Sequence, residues 1–130
     1  MLGFSMPDPD GHLAAMIAGI GGDPAFQAFG AWDGPDLVAG ANLFVHGRVA
    51  SLNIGATLPG HRDLGAQSAL IAARVQAAAD AGARLITSEA GEPAPGVSNP
   101  SLNNLRRAGL KVLYPRQSWL WQASTDPTTS

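Results

Sequence analysis

The sequence predicts an α+β fold in which helices cover both faces of a mixed, mainly antiparallel sheet. Two observations carry this prediction. Three short apolar segments between residues 26 and 57 are joined by tight turns, which is typical of an antiparallel meander. An alanine-rich stretch over 66–81 has no helix breaker and is followed by a further strand. A helix between two strands implies a crossover, so the last strand of that unit is parallel to the one before the helix.

The limits of the elements follow from glycine, proline and capping residues. Asp10 is a candidate N-cap for the first helix, the stretch Asp33–Asp36 is a turn, and Gly82 stands at the C′ position of the alanine-rich helix. In chain order, the predicted elements are a short helix over 10–20, strands over 26–32, 37–45 and 48–57, a helix over 66–81, a strand over 84–88, a helix over 101–108 and a strand over 110–114.

The alanine-rich helix is predicted to have one apolar stripe that packs against the sheet and one solvent-exposed face. The stripe comprises Ala66, Leu70, Ala73 and Ala77, and the solvated residues are Gln67, Arg74 and Asp80. One domain over 1–123 accommodates all of these elements, with residues 1–25 as a lead-in and 124–130 as a disordered polar tail.

Composition argues against several classes of function. The net charge is −2 with eight Lys plus Arg, which disfavours nucleic acid and anionic membranes as partners. No cysteine is present, so thiol chemistry and Cys-ligated zinc are excluded. His12, His46 and His61 are far apart in sequence and do not have the spacing of metal ligands. No metal is therefore expected, and the lack of a signal-peptide pattern predicts a cytoplasmic location.

The most informative segment joins the third strand to the alanine-rich helix, from Thr57 to Leu70. A loop that opens a helix presents unpaired backbone N–H groups and the positive end of the helix dipole, which together bind phosphate. Gly65 and Ala66 leave room for a close approach, and Arg62 adds a cation. The alternative is that Gly65 only opens the helix and that Arg62 is solvated. The segment contains neither a Walker loop nor a dinucleotide fingerprint.

Three separated motifs resemble the GNAT superfamily of acetyl-coenzyme A-dependent N-acetyltransferases. Pro59, Arg62, Gly65 and Ala66 match its pyrophosphate motif, from which Gln67 departs at the final small position. The second motif is Thr87-Ser-Glu-Ala-Gly-Glu-Pro93, and the third is Ser98-Asn-Pro-Ser101 followed by Asn104-Leu-Arg-Arg-Ala-Gly109. The resemblance covers roughly residues 26–121.

The resemblance implies acetyl-CoA as cosubstrate and an amine, on a small molecule or a peptide, as acceptor. It implies that the third strand contacts the pantetheine arm and that the helix start holds the pyrophosphate. Asn99 and Asn104 would border the thioester. Asn99 is better explained as an N-cap, whereas for Asn104 an ordinary exposed helix residue is an equal alternative. The implied cofactor-binding residues are Thr57, Arg62, Asp63, Leu64, Gly65, Ala66, Gln67, Ser68, Asn99 and Asn104.

Two residues are candidates for catalysis. Glu89 follows the strand over 84–88, where a buried carboxylate would suit a general base or a water-mediated proton relay near neutrality. The alternatives are an ion pair with an arginine such as Arg116, or recognition of a cationic acceptor. Tyr114, the one tyrosine, is the candidate acid, because Leu105 occupies the position at which many of these enzymes have tyrosine.

The chain departs from the family pattern at its start. GNAT domains open with a strand and two helices, whereas residues 1–25 supply only one short helix. An uncovered sheet edge invites pairing, so a homodimer is expected, with a longer two-domain protein as the alternative. Trp119 and Trp121 alternate on one face and would cover the sheet or contact a partner. These departures leave a second function open, a non-catalytic module that binds CoA or a partner.

Overall fold

The computed structural model describes residues 22–62 and 64–124, which form a four-stranded mixed sheet with two α-helices. The strands lie in the order β1-β2-β3-β4. The elements are β1 (Phe26–Asp33), β2 (Asp36–His46), β3 (Val49–Thr57), a 3₁₀ turn (Pro59–His61), α1 (Ala66–Asp80), β4 (Leu85–Ser88) and α2 (Pro100–Arg107). The short helix predicted over 10–20 lies outside the described residues.

Strands β1, β2 and β3 form the predicted antiparallel meander. Each tight turn uses a glycine with positive φ, Gly34 at 57° and Gly47 at 59°. Glycine adopts this conformation without a steric penalty, which is why these turns interrupt the apolar runs where they do. The meander prediction is confirmed.

Helix α1 connects β3 to β4, and the two strands pair in parallel. The helix ends as predicted at Gly82, which has a φ of 87°. The amide of Gly82 donates to Ala79 and that of Ala83 to Ala78, both at 3.0 Å. These two bonds form a Schellman motif, which satisfies carbonyls at the helix end and returns the chain towards β4.

The core lies between the sheet and α1, and its side chains are mostly small. One buried cluster comprises Leu43, Ala50, Leu52, Ile71 and Ala78, against which Leu105 of α2 packs. The predicted stripe on α1 is only partly right. Leu70 is buried, but Ala73 is exposed, and the buried set is Leu70, Ile71, Arg74 and Ala78. The true inner face follows the i, i+4, i+8 spacing from Leu70 through Arg74 to Ala78.

The predicted strand over 110–114 is wrong. Among the described residues, 110–124 contain no strand, and the only strand that pairs with β4 is β3. A sequence can have strand propensity without a neighbouring strand to bond to, and an isolated strand is not stable by itself. Tyr114, Trp119 and Trp121 on this segment are 70%, 85% and 84% exposed.

Candidate functional site: a cleft where two strands separate

The site begins where β3 and β4 part. Their last paired residues are Leu52 and Ser88, whereas β3 continues to Thr57. The two strands therefore separate after Ser88. The Ser88 hydroxyl donates to the Leu52 carbonyl at 3.1 Å, at the point of separation. Beyond it, no strand of the described residues pairs with the edge of β3 over 53–57 on its β4 side, so backbone donors and acceptors are available there.

A β-bulge distorts β3 directly beside this open edge. Ala41 pairs with Gly55 and Asn42 pairs with Asn53, which leaves Ile54 without a partner on β2. Ile54 has a φ of 48°, in the left-handed region that a β-branched residue rarely adopts. Such strain, of about 1–2 kcal/mol, persists only when surrounding contacts hold it in place.

Arg74 supplies those contacts from the inner face of α1. Its Nη1 donates to the carbonyl oxygens of Asn42 at 3.1 Å and Asn53 at 3.4 Å, next to the bulge, and its Nε donates to Leu70 at 3.1 Å. The residue is only 4% exposed, so the prediction that it is solvated is wrong. Burial lowers the pKa of the guanidinium from its ordinary value, which is so high that the group stays charged at neutral pH.

The separated strands and the two helices enclose a cleft of about 310 Å³. One wall is the bulged part of β3, a second is the inner face of α1, a third is the chain after β4, and the fourth is α2. The lining residues are Leu52, Asn53, Ile54 and Gly55; Gln67, Ile71 and Arg74; Ser88, Glu89, Ala90 and Gly91; and Asn99, Ser101, Asn104 and Leu105.

Gln67, the departure from the family motif, links α1 to the end of β3. Its Nε2 donates to Oγ1 of the buried Thr57 at 2.8 Å. The side chain crosses Gly55, where an added Cβ would lie 2.8 Å from the Gln67 Oε1. The absence of a side chain at Gly55 therefore makes room for the longer residue at position 67.

The N-terminus of α1 is open to a ligand. Gly65, at the N-cap with a φ of 82°, provides no side-chain hydrogen bond, and the first turn contains no acidic residue. The first amide that bonds back into the helix is that of Ala69, which donates to Gly65 at 3.0 Å. Among the described residues, which exclude Asp63, no group accepts from the amides of Ala66, Gln67 and Ser68, so an outside acceptor can bind them. A side chain added at Gly65 would meet nothing within 4 Å, so the approach is clear. This arrangement fits a phosphate group.

Most of the site residues predicted from sequence lie in two groups, one in the cleft and one at the start of α1, and Thr57, Tyr114 and Asp63 are described separately. Gln67, Glu89, Asn99 and Asn104 line the cleft. Arg62, Leu64, Gly65, Ala66 and Ser68 surround the start of α1, where all but the half-buried Ala66 are exposed. Thr57 lies at the end of β3 beside Gln67. Tyr114 is not among the residues that line the cleft. Asp63 lies outside the described residues.

The sequence-based role of Glu89 assumed a buried carboxylate, but Glu89 is exposed. Its side chain is 76% exposed, and its Oε1 lies 2.6 Å from the Nη2 of Arg116, which is 65% exposed. The structure therefore contains the ion pair that was one of the sequence-based alternatives. Glu89 is among the residues that line the cleft, and the pair joins the segment after β4 to the segment after α2.

Asn99 caps α2, as its simpler interpretation predicted. Its Oδ1 accepts from the amide of Leu102 at 3.2 Å, and its Nδ2 donates to the Gly91 carbonyl at 2.7 Å. One side chain thus starts α2 and holds the chain that follows β4. Asn104 is half-buried in the cleft wall, where its Oδ1 accepts a hydrogen bond from Arg107.

Sequence reasoning missed Arg74, Ile54 and Ser88 as parts of the site. Arg74 had a detectable signal, because it follows Leu70 by four residues and precedes Ala78 by four. The bulge at Ile54 and the hydroxyl contact of Ser88 had none, because both depend on the pairing between strands.

Among residues 22–62 and 64–124, no three His, Asp or Glu side chains lie close enough together to hold a metal ion. In the same ranges, no helix has the length and apolar character needed to span a membrane.

No protein-family profile matches the chain, and no curated protein matches it in sequence. Solved structures do match in fold. An aminoglycoside N-acetyltransferase, AAC(6')-Iy in complex with CoA, is 17% identical with a TM-score of 0.67, over 85% of this chain and 87% of the other. The aminoglycoside acetyltransferase meta-AAC0020 from an uncultured soil sample, in complex with sisomicin, is 18% identical with a TM-score of 0.67, over 95% and 80%. A transcriptional regulator from Bacillus halodurans is 17% identical with a TM-score of 0.68, over 83% and 74%. At these identities the likeness establishes architecture alone, and the chain has the GNAT acetyltransferase fold.

Proposed function

We propose that this protein is an N-acetyltransferase that transfers the acetyl group of acetyl-CoA to an amine on a small molecule or peptide. The observation that carries the proposal is the continuity of the site. The uncapped start of α1, the open edge of β3 over 53–57 and the cleft beyond it follow one another along the same strand and helix. A CoA thioester fits these three features in the same order, with its diphosphate at the start of α1, its amide arm along β3 and its thioester in the cleft.

Binding is assigned to backbone groups more than to side chains. The amides of Ala66, Gln67 and Ser68 would hold the pyrophosphate, assisted by the positive end of the helix dipole. Arg62 is exposed and adds a screened attraction. The unpaired edge of β3, from Asn53 to Thr57, would hydrogen-bond the amides of the pantetheine arm in the manner of an added strand.

Acetyl-CoA supplies an activated acetyl thioester, which an amine attacks directly. The chain must then orient the carbonyl, stabilise the negative charge that develops on its oxygen and move two protons. Backbone N–H groups on the open edge near Gly55–Thr57 are the proposed donors to that oxygen. The attacking amine must lose a proton, and the departing thiolate sulfur must gain one.

Glu89 is proposed as the residue that takes the amine proton, directly or through water. The observation in its favour is its position on the cleft wall at the end of β4. Because it is exposed, water reaches it and can relay the proton to bulk solvent. Tyr114 stays a proposed proton donor to the sulfur, although its phenol is 70% exposed and lies on the segment that forms no strand.

The alternative is a module that binds CoA or a partner without efficient turnover. The observation that favours it is Leu105, which packs against the core cluster and lines the cleft at the position expected for a tyrosine. An aliphatic side chain cannot donate a proton to a leaving thiolate.

Turnover with a panel of amines separates the two functions. The panel comprises amino acids, polyamines, peptide N-termini and aminoglycosides, and free thiol released from acetyl-CoA is measured. Thiol release that depends on an amine, with acetylated product detected by mass spectrometry, supports the enzyme. Tight binding of CoA without release above the uncatalysed rate, for every amine, supports the binding module.

A further inference from the structure

Arg74 presents one guanidinium nitrogen that no group of the described residues satisfies. Its Nε and Nη1 donate to the three carbonyls already described. Its Nη2 has no hydrogen-bond partner within residues 22–62 and 64–124. That atom is not sealed from solvent, because no fully buried polar side-chain atom of these residues lacks a partner. The residue as a whole is 4% exposed and is among those that line the cleft, which fits an accessible guanidinium edge that faces the cleft.

The charge of Arg74 has no counter-ion in the part of the chain that the structure describes. The ion pairs found there join His61 to Asp33 and Arg116 to Glu89. Glu89 is the one carboxylate that lines the cleft, and it is held by Arg116. A buried cation compensated only by carbonyl dipoles is costly, and an anion that enters the cleft would offset this cost.

The polar groups that line the cleft suit a carboxylate. The cleft holds about 310 Å³. Apart from Glu89, whose charge is paired with Arg116, its other polar lining groups, such as Ser88, Ser101 and Asn104, are neutral. A carboxylate accepts charge-assisted hydrogen bonds from a single guanidinium nitrogen and can bond neutral hydroxyl and amide donors with its other oxygen. The phosphate groups of CoA have a separate place at the start of α1.

We propose that Arg74 Nη2 binds a carboxylate in the cleft, carried either by the amine acceptor or by the acyl group. Arg74 then selects the substrate class, which is an amino acid-like acceptor in the first case and a dicarboxylic acyl-CoA in the second. This inference rests on the proposed function, because it requires a CoA thioester in the same cleft.

The test compares ligands that differ only in the carboxylate. Calorimetry on the wild-type protein measures succinyl-CoA against butyryl-CoA and, with CoA present at saturation, a panel of α-amino acids against their amides. In one of the two comparisons, the carboxylate ligand is expected to bind about 10- to 100-fold more tightly, the range of a hydrogen bond to a charged group. The comparison that shows the preference identifies the carrier of the carboxylate.

Variants assign the preference to Arg74. Arg74→Met should abolish it, whereas Arg106→Met, which removes an exposed arginine of α2, should keep it. If Arg74→Met fails to fold, Arg74→Gln replaces it, because an amide still donates to a strand carbonyl but carries no charge. A merely structural role would weaken both members of each pair alike and leave their ratio unchanged.

Equal affinities within both comparisons in the wild type would overturn the inference. An unchanged preference in the folded Arg74 variant would do the same. Failure of the proposed function is a different result, in which neither CoA nor any acyl-CoA binds.

Discussion

At the scale of single residues, substitutions at Gly65 can distinguish the effect of an added charge on acetyl-CoA binding from the effect of backbone strain. Gly65→Glu would place a carboxylate at an open helix N-terminus and force a non-glycine residue to a φ of 82°. We expect it to abolish detectable acetyl-CoA binding, whereas Arg62→Ala should weaken binding by only about tenfold or less. An exposed cation contributes about 1 kcal/mol at most. Calorimetry with acetyl-CoA measures both effects.

The matched control for this prediction is Gly65→Ala. It carries the same left-handed strain, about 1–2 kcal/mol, but adds no charge and no bulk beyond one methyl. It should lower thermal stability as much as Gly65→Glu and retain most of the binding. Wild-type affinity in Gly65→Glu would show that the phosphate site is elsewhere.

Because Glu89 is exposed, its substitution should change the rate of proton transfer with little change in folding stability. The ion pair with Arg116 is solvent-exposed on both sides, so its loss should cost about 0–1 kcal/mol of folding stability. If Glu89 takes the amine proton, Glu89→Gln should lower kcat by roughly 10²–10⁴-fold and leave acetyl-CoA affinity unchanged. Steady-state kinetics with the best amine of the panel provide the measurement.

Arg116→Gln is the companion variant, because it removes the same ion pair and keeps the carboxylate. Its kcat should stay close to that of the wild type. Equal losses in both variants would mean that the ion pair, and not proton transfer, supports activity. A raised KM for the amine with kcat preserved would instead assign Glu89 to acceptor recognition.

At the scale of elements, Asn99 connects the start of α2 to the chain after β4. Asn99→Ala removes the hydrogen bonds to both Leu102 and Gly91 and should destabilise the protein by about 1 kcal/mol, the usual value of an N-cap. Asn99→Ser keeps a cap acceptor but is too short to hold Gly91, so it should recover part of the loss. Chemical denaturation measures the midpoints, and an unchanged midpoint in Asn99→Ala would contradict the capping role.

The elements that sequence could predict are those defined by local chemistry. Gly34, Gly47 and Gly82 mark turns and a helix end at which only glycine fits easily, so the meander and the limits of α1 follow from the chain itself. The uncapped start of α1 follows in the same way from Gly65, whereas its use as a phosphate site stays a prediction.

The elements that sequence could not predict depend on partners distant in the chain. The strand expected over 110–114 needs a neighbour to pair with, and none is present among the described residues. The bulge at Ile54 depends on the register of β2 against β3. The burial of Arg74 depends on the carbonyls that this bulge exposes, and a charged residue in an alanine-rich helix is ordinarily assigned to solvent.

At the scale of the whole molecule, the segment over 110–124 exposes several large apolar side chains. Leu113, Trp119, Leu120 and Trp121 are each at least 80% exposed. Large apolar side chains exposed on one segment favour contact with another chain, and we expect a homodimer that buries them. Light scattering should report twice the mass of the chain.

The variant that tests this dimer is Trp119→Ser combined with Trp121→Ser. Neither residue lines the cleft, so the pair should shift the protein to a monomer without loss of CoA binding. A monodisperse monomer of the wild type across micromolar concentrations would contradict the expected dimer.

The proposed function requires that the cleft and the start of α1 form one site for a CoA thioester. Calorimetric titration of the wild-type protein with acetyl-CoA, with and without a chelator, measures this binding. One molecule should bind per chain, saturably and unchanged by the chelator, and binding should be lost in Gly65→Glu. No heat of binding at millimolar acetyl-CoA, or binding abolished by the chelator, would contradict it.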